Sequence, residues 1–482
     1  MINLLPDIFN AMLPEFLLFF TVFILVIFSA FYNVKFHKFS KWITISGIAA
    51  ALYSLKFLQS EPIYYAFYES IMSDTFTIFI KALILVCSLI IVLLSKRNVT
   101  RRNHKTFQFY ALLLIAVLGS MFIVSANDFL TLTVSLEMLS FSLYFLIAYK
   151  KGRLSKEASF KYLITNCFAT AVYLFGVSYL YGITSTVNFN GINDYFLQHD
   201  SGLIYAFAII FIVMGMLFKL AVLPFANWVL DVYESSATSV SAFISTVPKI
   251  AILAVLAKLL AFVLSYSFEL PFVLILLSII TAIWANILAL RQKNILRLMA
   301  CTTSANASYM LFVLSLVSVY NLSTVLFYLV TYVYMNLGVF AAIIVLENSH
   351  YSSKIHEFRG FGYSNPIFTL AFAICIFGLA GFPITSGFIA KLYLFSAIIR
   401  SGSVFIPFLI IRLMTIVVSC YYYTNIVRLM FEKNMNNIEG EILPHKASSP
   451  IVILYTCAAI TVVIGIMPAT LIEICKFIAY NL

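Results

Sequence analysis

The chain has 482 residues, of which 63% are hydrophobic and only 10% charged, with 30 Lys and Arg against 19 Asp and Glu. A soluble domain carries about 25% charged residues. This composition therefore excludes a soluble globular protein, and a mean hydropathy of +1.02 with apolar stretches of about 20 residues marks a polytopic membrane protein. The net charge of +11 does not point to nucleic acid, because the basic residues are spread over short loops, where orientation in a bilayer accounts for them.

The chain opens with MINLLPDIFNAMLPEF, which has no basic n-region and carries Asp7 and Glu15. It reads as neither a secretory signal nor an Arg-rich transit peptide. A mitochondrial protein with this start would be made inside the organelle. Fourteen spans follow, near 14–34, 40–60, 75–95, 107–125, 128–149, 159–183, 203–227, 238–265, 269–289, 295–318, 321–347, 366–399, 402–430 and 450–475. The twelfth is long and carries GLAGFPITSG in its middle, so it reads as one interrupted helix.

Charge supports this count. Lys35, Lys38 and Lys41 follow the first span, and Lys96, Arg97, Arg101, Arg102 and Lys105 the third. Lys150, Lys151, Arg153, Lys156 and Lys161 follow the fifth, and Arg291, Lys293 and Arg297 the ninth. Lys354 and Arg359 follow the eleventh, and Arg428, Lys433 and Lys446 the thirteenth. All are odd-numbered connections, so the positive-inside rule puts them on the matrix or cytoplasmic face and both termini opposite. The seventh connection, with Asp231 and Glu234, is the exception. The cysteines form no close pair of the CxxC kind; they read as small apolar helix residues, with no iron–sulfur or zinc spacing.

Four charges sit deep in spans. Glu137 is nearly mid-span in DFLTLTVSLEMLSFSLYFLIAY, Lys219 lies in FKLAVLPFANW, Lys249 follows Pro248 in FISTVPKIAIL, and Lys391 lies in FPITSGFIAKLYLF. A charge at the bilayer centre costs about 2.5–3.5 kcal/mol on insertion scales. The bland reading, a structural ion pair, covers one lysine and not three. The surplus points to hydrated sites that load and unload protons, with a movable carboxylate making a lysine's hold on its proton adjustable. Lys81 and Lys258, each about two turns from a span end, read as snorkelling to the surface. Arg412 takes no role from the sequence.

Pro224 and Pro383 break the seventh and twelfth spans, each within eight residues of a deep lysine. Discontinuous helices in corresponding halves point to an inverted-repeat transporter site. Unwound backbone at membrane depth is tolerated only where it is buried or lines water.

Four segments carry a family likeness. FKLAVLPFANWVLDVYESSATSVSAFISTVPKIA resembles the signature of the antiporter-like subunits of respiratory complex I and of Mrp cation/proton antiporters. LRQKNILRLMACTTSANASYM, GLAGFPITSGFIAKLYLF and SLEMLSFSLYFLIAY match further family segments, together covering roughly residues 107–430. The resemblance implies an all-α polytopic fold of about fourteen transmembrane helices, with two inverted five-helix repeats and discontinuous helices 7 and 12. The expected divisions are a three-helix segment (1–106), a first repeat (107–265), a second repeat (266–432) and a C-terminal helix (433–482). Glu137 and Lys219 would form the pair of the first half-channel, Lys249 the central relay and Lys391 the terminal site. Lys391 is similar to the N-type members, where other members carry Glu.

There are departures. Ala226 stands where the family usually has His, VLDVYESSATS lacks the prolines and glycine of the usual segment, and Asn306 stands where His is common. Ser304 and Asn306, with waters, are expected to support the relay. The implied function is that of a proton-translocating membrane-arm subunit of NADH:ubiquinone oxidoreductase, coupling quinone reduction to proton pumping. No cofactor is expected on this chain, since no GxGxxG follows a strand. NADH, FMN, iron–sulfur clusters and ubiquinone would bind elsewhere in the complex. Expected partners are other membrane-arm subunits, lipids, protons and water, in the mitochondrial inner membrane or, alternatively, a bacterial plasma membrane or thylakoid. The rival readings are an Mrp-type antiporter subunit and a purely structural membrane subunit.

Overall fold

A computed structural model describes residues 4–30, 37–58, 64–95, 106–150, 152–199, 202–263, 269–316, 318–349, 351–432 and 448–481. Of the basic residues in the charge pattern, Lys35, Lys96, Arg97, Arg101, Arg102, Lys105, Lys151, Lys433 and Lys446 lie outside these residues. So do the expected boundaries at 266 and 433, and the side chain of Lys38 is likewise not described.

The chain is helical almost throughout. α1 (Leu4–Ala30), α2 (His37–Ser54), α3 (Thr75–Leu94), α4 (Thr106–Ser125) and α5 (Phe129–Ala148) cover the first five expected spans. α6 (Arg153–Thr184) is followed by a short helix, α7 (Phe189–Gln198), which buries Phe189, Ile192 and Phe196. Then come α8 (Leu203–Leu220), α9 (Trp228–Ser235), α10 (Thr238–Val263), α11 (Glu269–Leu290), α12 (Ile295–Leu314) and α13 (Val319–Asn348). The one-turn α14 (Phe361–Ser364) leads to α15 (Pro366–Ala380), α16 (Ser386–Arg400), α17 (Ile406–Met430), α18 (Ser449–Ile466) and α19 (Ala469–Tyr480). Among the described residues, eleven helices are long and apolar enough to cross a membrane, by length and composition. The other three expected spans, the second, tenth and twelfth, fall on α2, α12 and the pair α15–α16.

Three local outcomes differ from the sequence reading. A small antiparallel hairpin stands between the second and third spans: β1 (Tyr64–Ala66) pairs β2 (Ile71–Ser73) in the register Tyr64↔Ser73, Tyr65↔Met72, Ala66↔Ile71. The seventh span stops at Leu220, where Ala221 closes the helix at φ 56, well short of the expected 227. The last span stops at Ile466, before Pro468, and a separate helix resumes at Ala469, because the residue before a proline resists the α region.

The chain divides into two compact units: Met1–Trp228, Ser235–Leu274 and Ile478–Leu482 in the first, Val229–Glu234 and Ile275–Phe477 in the second. In the first, α6 packs along α8 and α5 along α4. The α6–α8 approach depends on small residues: a Cβ on Gly176 would lie 2.5 Å from the Ala208 carbonyl oxygen, and one on Gly215 2.7 Å from that of Ala169. Close backbone contact of this kind is how helices pack where lipid supplies no hydrophobic drive. In the second unit α13 is the central helix, packed against α15, α16 and α18.

The snorkelling expected of Lys81 and Lys258 is overturned. Lys81 is fully buried and pairs with Glu15 of α1 at 2.7 Å. Lys258 is buried too, its Nζ donating to the Val124 carbonyl at 3.0 Å. Both lysines face neighbouring helices, so distance from the span end gave no guide to direction. The acidic seventh connection also finds its reason. Arg297 donates to Asp231 at 3.2 Å and to Glu234 at 2.7 Å, and Asn294 donates to Glu234 at 3.0 Å.

Candidate functional site

The first site is built by α5, α6 and α8. Asp128 caps α5, accepting from the Thr131 amide at 2.6 Å, and this start places Ser135, Glu137, Ser140 and Tyr144 along the helix. Lys219 occupies the last turn of α8, just before the break. It is buried, and its Nζ donates to Asn166 Oδ1 at 2.6 Å, to the Ser140 hydroxyl, and to Tyr162 OH at 3.5 Å. The rings of Tyr162 and Phe218 each lie 5.6 Å from the ammonium. Glu137 is half-buried and accepts from Thr170 at 2.6 Å and from Asn166 Nδ2 at 3.4 Å. No direct ion pair joins Glu137 to Lys219 among the described residues. Asn166 connects them, its carbonyl taking the ammonium and its amide nitrogen facing the carboxylate. That same nitrogen donates to Tyr144 OH at 2.7 Å.

The break after Lys219 runs from Ala221 to Asn227 and contains Pro224 in a cis peptide bond with Leu223. Trp228 crosses back over it. Its ring lies 4.7 Å from that of Tyr162 and 5.2 Å from that of Phe218, and its Nε1 donates to the Phe218 carbonyl at 3.3 Å. The same carbonyl at the helix end also accepts from the Ala221 amide at 3.0 Å, so Trp228 is its second donor. Ala226 is buried within the break.

Lys249 lies on α10, in the same compact unit, directly after Pro248. It is 2% exposed, and its Nζ has no hydrogen-bond partner among the described residues. Pro248 offers no N–H to the carbonyl one turn back, which leaves that backbone group free for other donors.

The second unit holds Lys391, near the start of α16. α15 ends at Ala380, Gly381 closes it at φ 88, and Pro383 follows in the five-residue gap before α16. Lys391 Nζ reaches back across this gap and donates to the carbonyls of Leu379 at 2.8 Å and Ala380 at 2.7 Å. A cation on a helix C-terminus is favoured by the macrodipole as well as by the freed carbonyls. A Cβ on Gly381 would sit 2.9 Å from Lys391 Cδ, so the lysine's path needs glycine there. Arg412 shares the neighbourhood. It is fully buried, it donates to Ser308 Oγ at 2.9 Å and to the Ser308 carbonyl at 3.0 Å, and its guanidinium lies 5.0 Å from the Tyr309 ring. Lys391 Nζ is 5.7 Å from the same ring.

Ser304 and Asn306 are buried on α12. Ser304 donates to its own helix at Ala300, and Asn306 accepts from Tyr328 OH at 2.7 Å. Neither bonds to a lysine among the described residues. Sequence reasoning missed Asn166, Ser140, Tyr162 and Trp228. An uncharged amide in a long apolar run was the signal for Asn166.

A family model, NADH:quinone oxidoreductase/Mrp antiporter, TM, matches residues 126–418. The chain belongs to this family of antiporter-like membrane subunits. Curated relatives are subunits N or 2 of quinone oxidoreductases. The chain is 33% identical to NAD(P)H-quinone oxidoreductase subunit 2 of Microcystis aeruginosa, over 87% of this chain and 82% of the relative. It is 30% identical to NADH-quinone oxidoreductase subunit N of Trichlorobacter lovleyi, over 96% and 95%. Among solved structures, a chain of respiratory complex I from Thermus thermophilus matches with a TM-score of 0.78 at 26% identity, covering 95% of this chain and 98% of that one. The Mrp complex of Dietzia shares the fold, with a TM-score of 0.83 at 17% identity over 98% and 97%. The antiporter-like subunit is thus an N-type member by its relatives, and a multi-pass membrane protein by its helices.

Proposed function

We propose that this chain is a proton-translocating membrane-arm subunit of an NADH:quinone oxidoreductase. One observation carries the reading: a buried lysine at a helix break, wired through an amide to a carboxylate on the next helices. Glu137 and Lys219 form the first half-channel pair, Lys249 is the central relay and Lys391 is the terminal site. Ser304 and Asn306 support the relay with water. Two inverted five-helix repeats (107–265 and 266–432), within fourteen spans, place one broken span in each. A three-helix segment (1–106) precedes them and a C-terminal helix (433–482) follows.

Quinone reduction elsewhere in the complex perturbs the Glu137–Lys219 pair through neighbouring subunits, and the proton redistributes along the lysines. Moving one charge against 100 mV takes about 2.3 kcal/mol, which a change of about two pKa units supplies. The chain itself is proposed to bind no redox group; NADH, FMN, iron–sulfur clusters and ubiquinone belong to other subunits. Its membrane is an energy-transducing one. The inner mitochondrial membrane is the location proposed, with bacterial plasma membrane or thylakoid as alternatives, which the bacterial and cyanobacterial relatives support.

The test replaces Lys219 by Met and Glu137 by Gln in the assembled complex, reconstituted in vesicles. Electron transfer coupled to fewer protons per NADH is expected. Assembly with a normal proton-to-electron ratio sinks the relay and leaves a structural subunit. Failure to co-purify with NADH dehydrogenase activity turns the assignment to an Mrp-type antiporter.

A further inference from the structure

A second group of buried charges lies outside the relay, in the first compact unit. Both carboxylate oxygens of Glu15, Lys81 Nζ, Ser73 Oγ, Thr75 Oγ1 and Ser125 Oγ are buried side-chain atoms that, apart from the Glu15–Lys81 ion contact, have no hydrogen-bond partner among the described residues. Glu15 and Lys81 have only their mutual ion contact at 2.7 Å.

These groups are neighbours. Strand β2 bridges the end of α4 at Ile71↔Ala126, and the Asn127 amide donates to the Ser70 carbonyl at 2.9 Å. This brings the strand that carries Ser73 to the end of α4, where Ser125 lies. Lys258 of α10 reaches into the same place, bonding Val124 at 3.0 Å and lying 5.8 Å from the Phe76 ring. Asp74, which caps α3, and Lys81 are the charged groups that act on it. Lys81 is two turns further along α3, about 10 Å from Asp74, and Glu15 meets it from α1.

Buried polar groups are satisfied by protein or by ordered water, and hydrocarbon offers neither donor nor acceptor. Among the described residues the three hydroxyls have no hydrogen-bond partner; α1, α3 and α4 all pack on the hairpin, α10 packs on α3 and α4, and Tyr68 in the hairpin is 99% exposed. We propose that these groups line one column, a second, hydrated proton-exchange site entered at the hairpin between the second and third spans and ending at Lys258. By the charge pattern this is the face poor in basic loops. In the exchange step an N–H bond of the Lys258 ammonium breaks as a water O–H bond forms, and the resulting hydronium leaves along the column. Within the Glu15–Lys81 pair, a proton crossing from nitrogen to oxygen leaves the pair's net charge unchanged. Lys258 stands nine residues from Lys249 on α10, about 13 Å along the helix, so the column reaches the helix that carries the central lysine. The proposal holds whether or not Glu137 and Lys219 carry protons.

Two measurements test it in the assembled complex, in membrane vesicles. Ser73→Cys and Ser125→Cys are treated with a trimethylammonium-ethyl methanethiosulfonate and mapped by mass spectrometry. Cys87, buried on α3, is the internal control. Modification at least about tenfold faster than at Cys87 is expected, because thiol reactivity follows access; thiols as inert as Cys87 overturn the hydration. Lys258→Arg keeps the charge and a donor for Val124 but cannot release its proton. Proton release on the hairpin face is expected to slow by at least about twofold, and an unchanged rate with water-accessible thiols overturns the exchange role.

Discussion

Asn166 decides how the two charges of the first site communicate. An ammonium held by an amide oxygen, with the amide nitrogen turned to a carboxylate, is a fixed neutral bridge: it carries no proton itself, but it sets where both partners lie. Replacing it by Leu removes hydrogen bonds to charged groups, each worth about 1.5–3 kcal/mol. Asn166→Leu is expected to lower proton transfer by about tenfold or more, with electron transfer less affected, and Asn166→Gln is expected to recover part of it. Equal pumping by Asn166→Leu and wild type would show that Glu137 and Lys219 communicate by another path. The four deep charges were legible in the sequence because a charge in an apolar run is conspicuous. Asn166 was not, since an amide costs little enough to pass as helix filling. Lys81 and Lys258 were misread for another reason: depth along a span is visible in sequence, while the neighbour a side chain faces is not.

The two breaks are built differently. In the seventh span the lysine precedes the break and points to other helices, while the Ala221 amide and Trp228 both donate to the Phe218 carbonyl. In the twelfth the lysine follows the break and itself satisfies the freed carbonyls of Leu379 and Ala380. Gly381 makes this route available, at φ 88 and with no room for a methyl beside Lys391 Cδ. Gly381→Ala is expected to destabilise the second unit by about 1–2 kcal/mol from the left-handed backbone alone, and to dislodge Lys391 as well. A thermal-shift measurement on the purified complex showing no loss would count against it. Both prolines announced a break in the sequence. The hairpin of Tyr64–Ala66 and Ile71–Ser73 did not announce itself, because its strands are three residues long and sit between strong helical patterns.

At the scale of the molecule, alternating loop charge fixes direction. Tyr68 lies in the second connection and Lys156, also exposed, in the one after the fifth span. Cysteines placed at these two positions are expected to react with an impermeant thiol reagent from opposite sides of a sealed vesicle. Labelling from one side would overturn the span count between them. The acidic seventh connection does not disturb this alternation, since its carboxylates are neutralised by Arg297. The two compact units are not the four divisions that the resemblance implied, and the sequence did not announce them. Nothing local in the chain marks Leu274 as a boundary, because the division arises from which helices pack together.

The hold of Lys391 on the end of α15 gives the proton a mechanical side. An ammonium has three donors and a full charge to spend on the carbonyls of Leu379 and Ala380; the amine left after proton loss has two donors and no charge. On the proposed relay role of Lys391, the cargo of the twelfth span is also its latch, and unloading it would slacken the grip between the two half-helices. Infrared bands of isotope-labelled Leu379 and Ala380 carbonyls should move when Lys391 is titrated, and bands that stay fixed would separate the latch from the cargo.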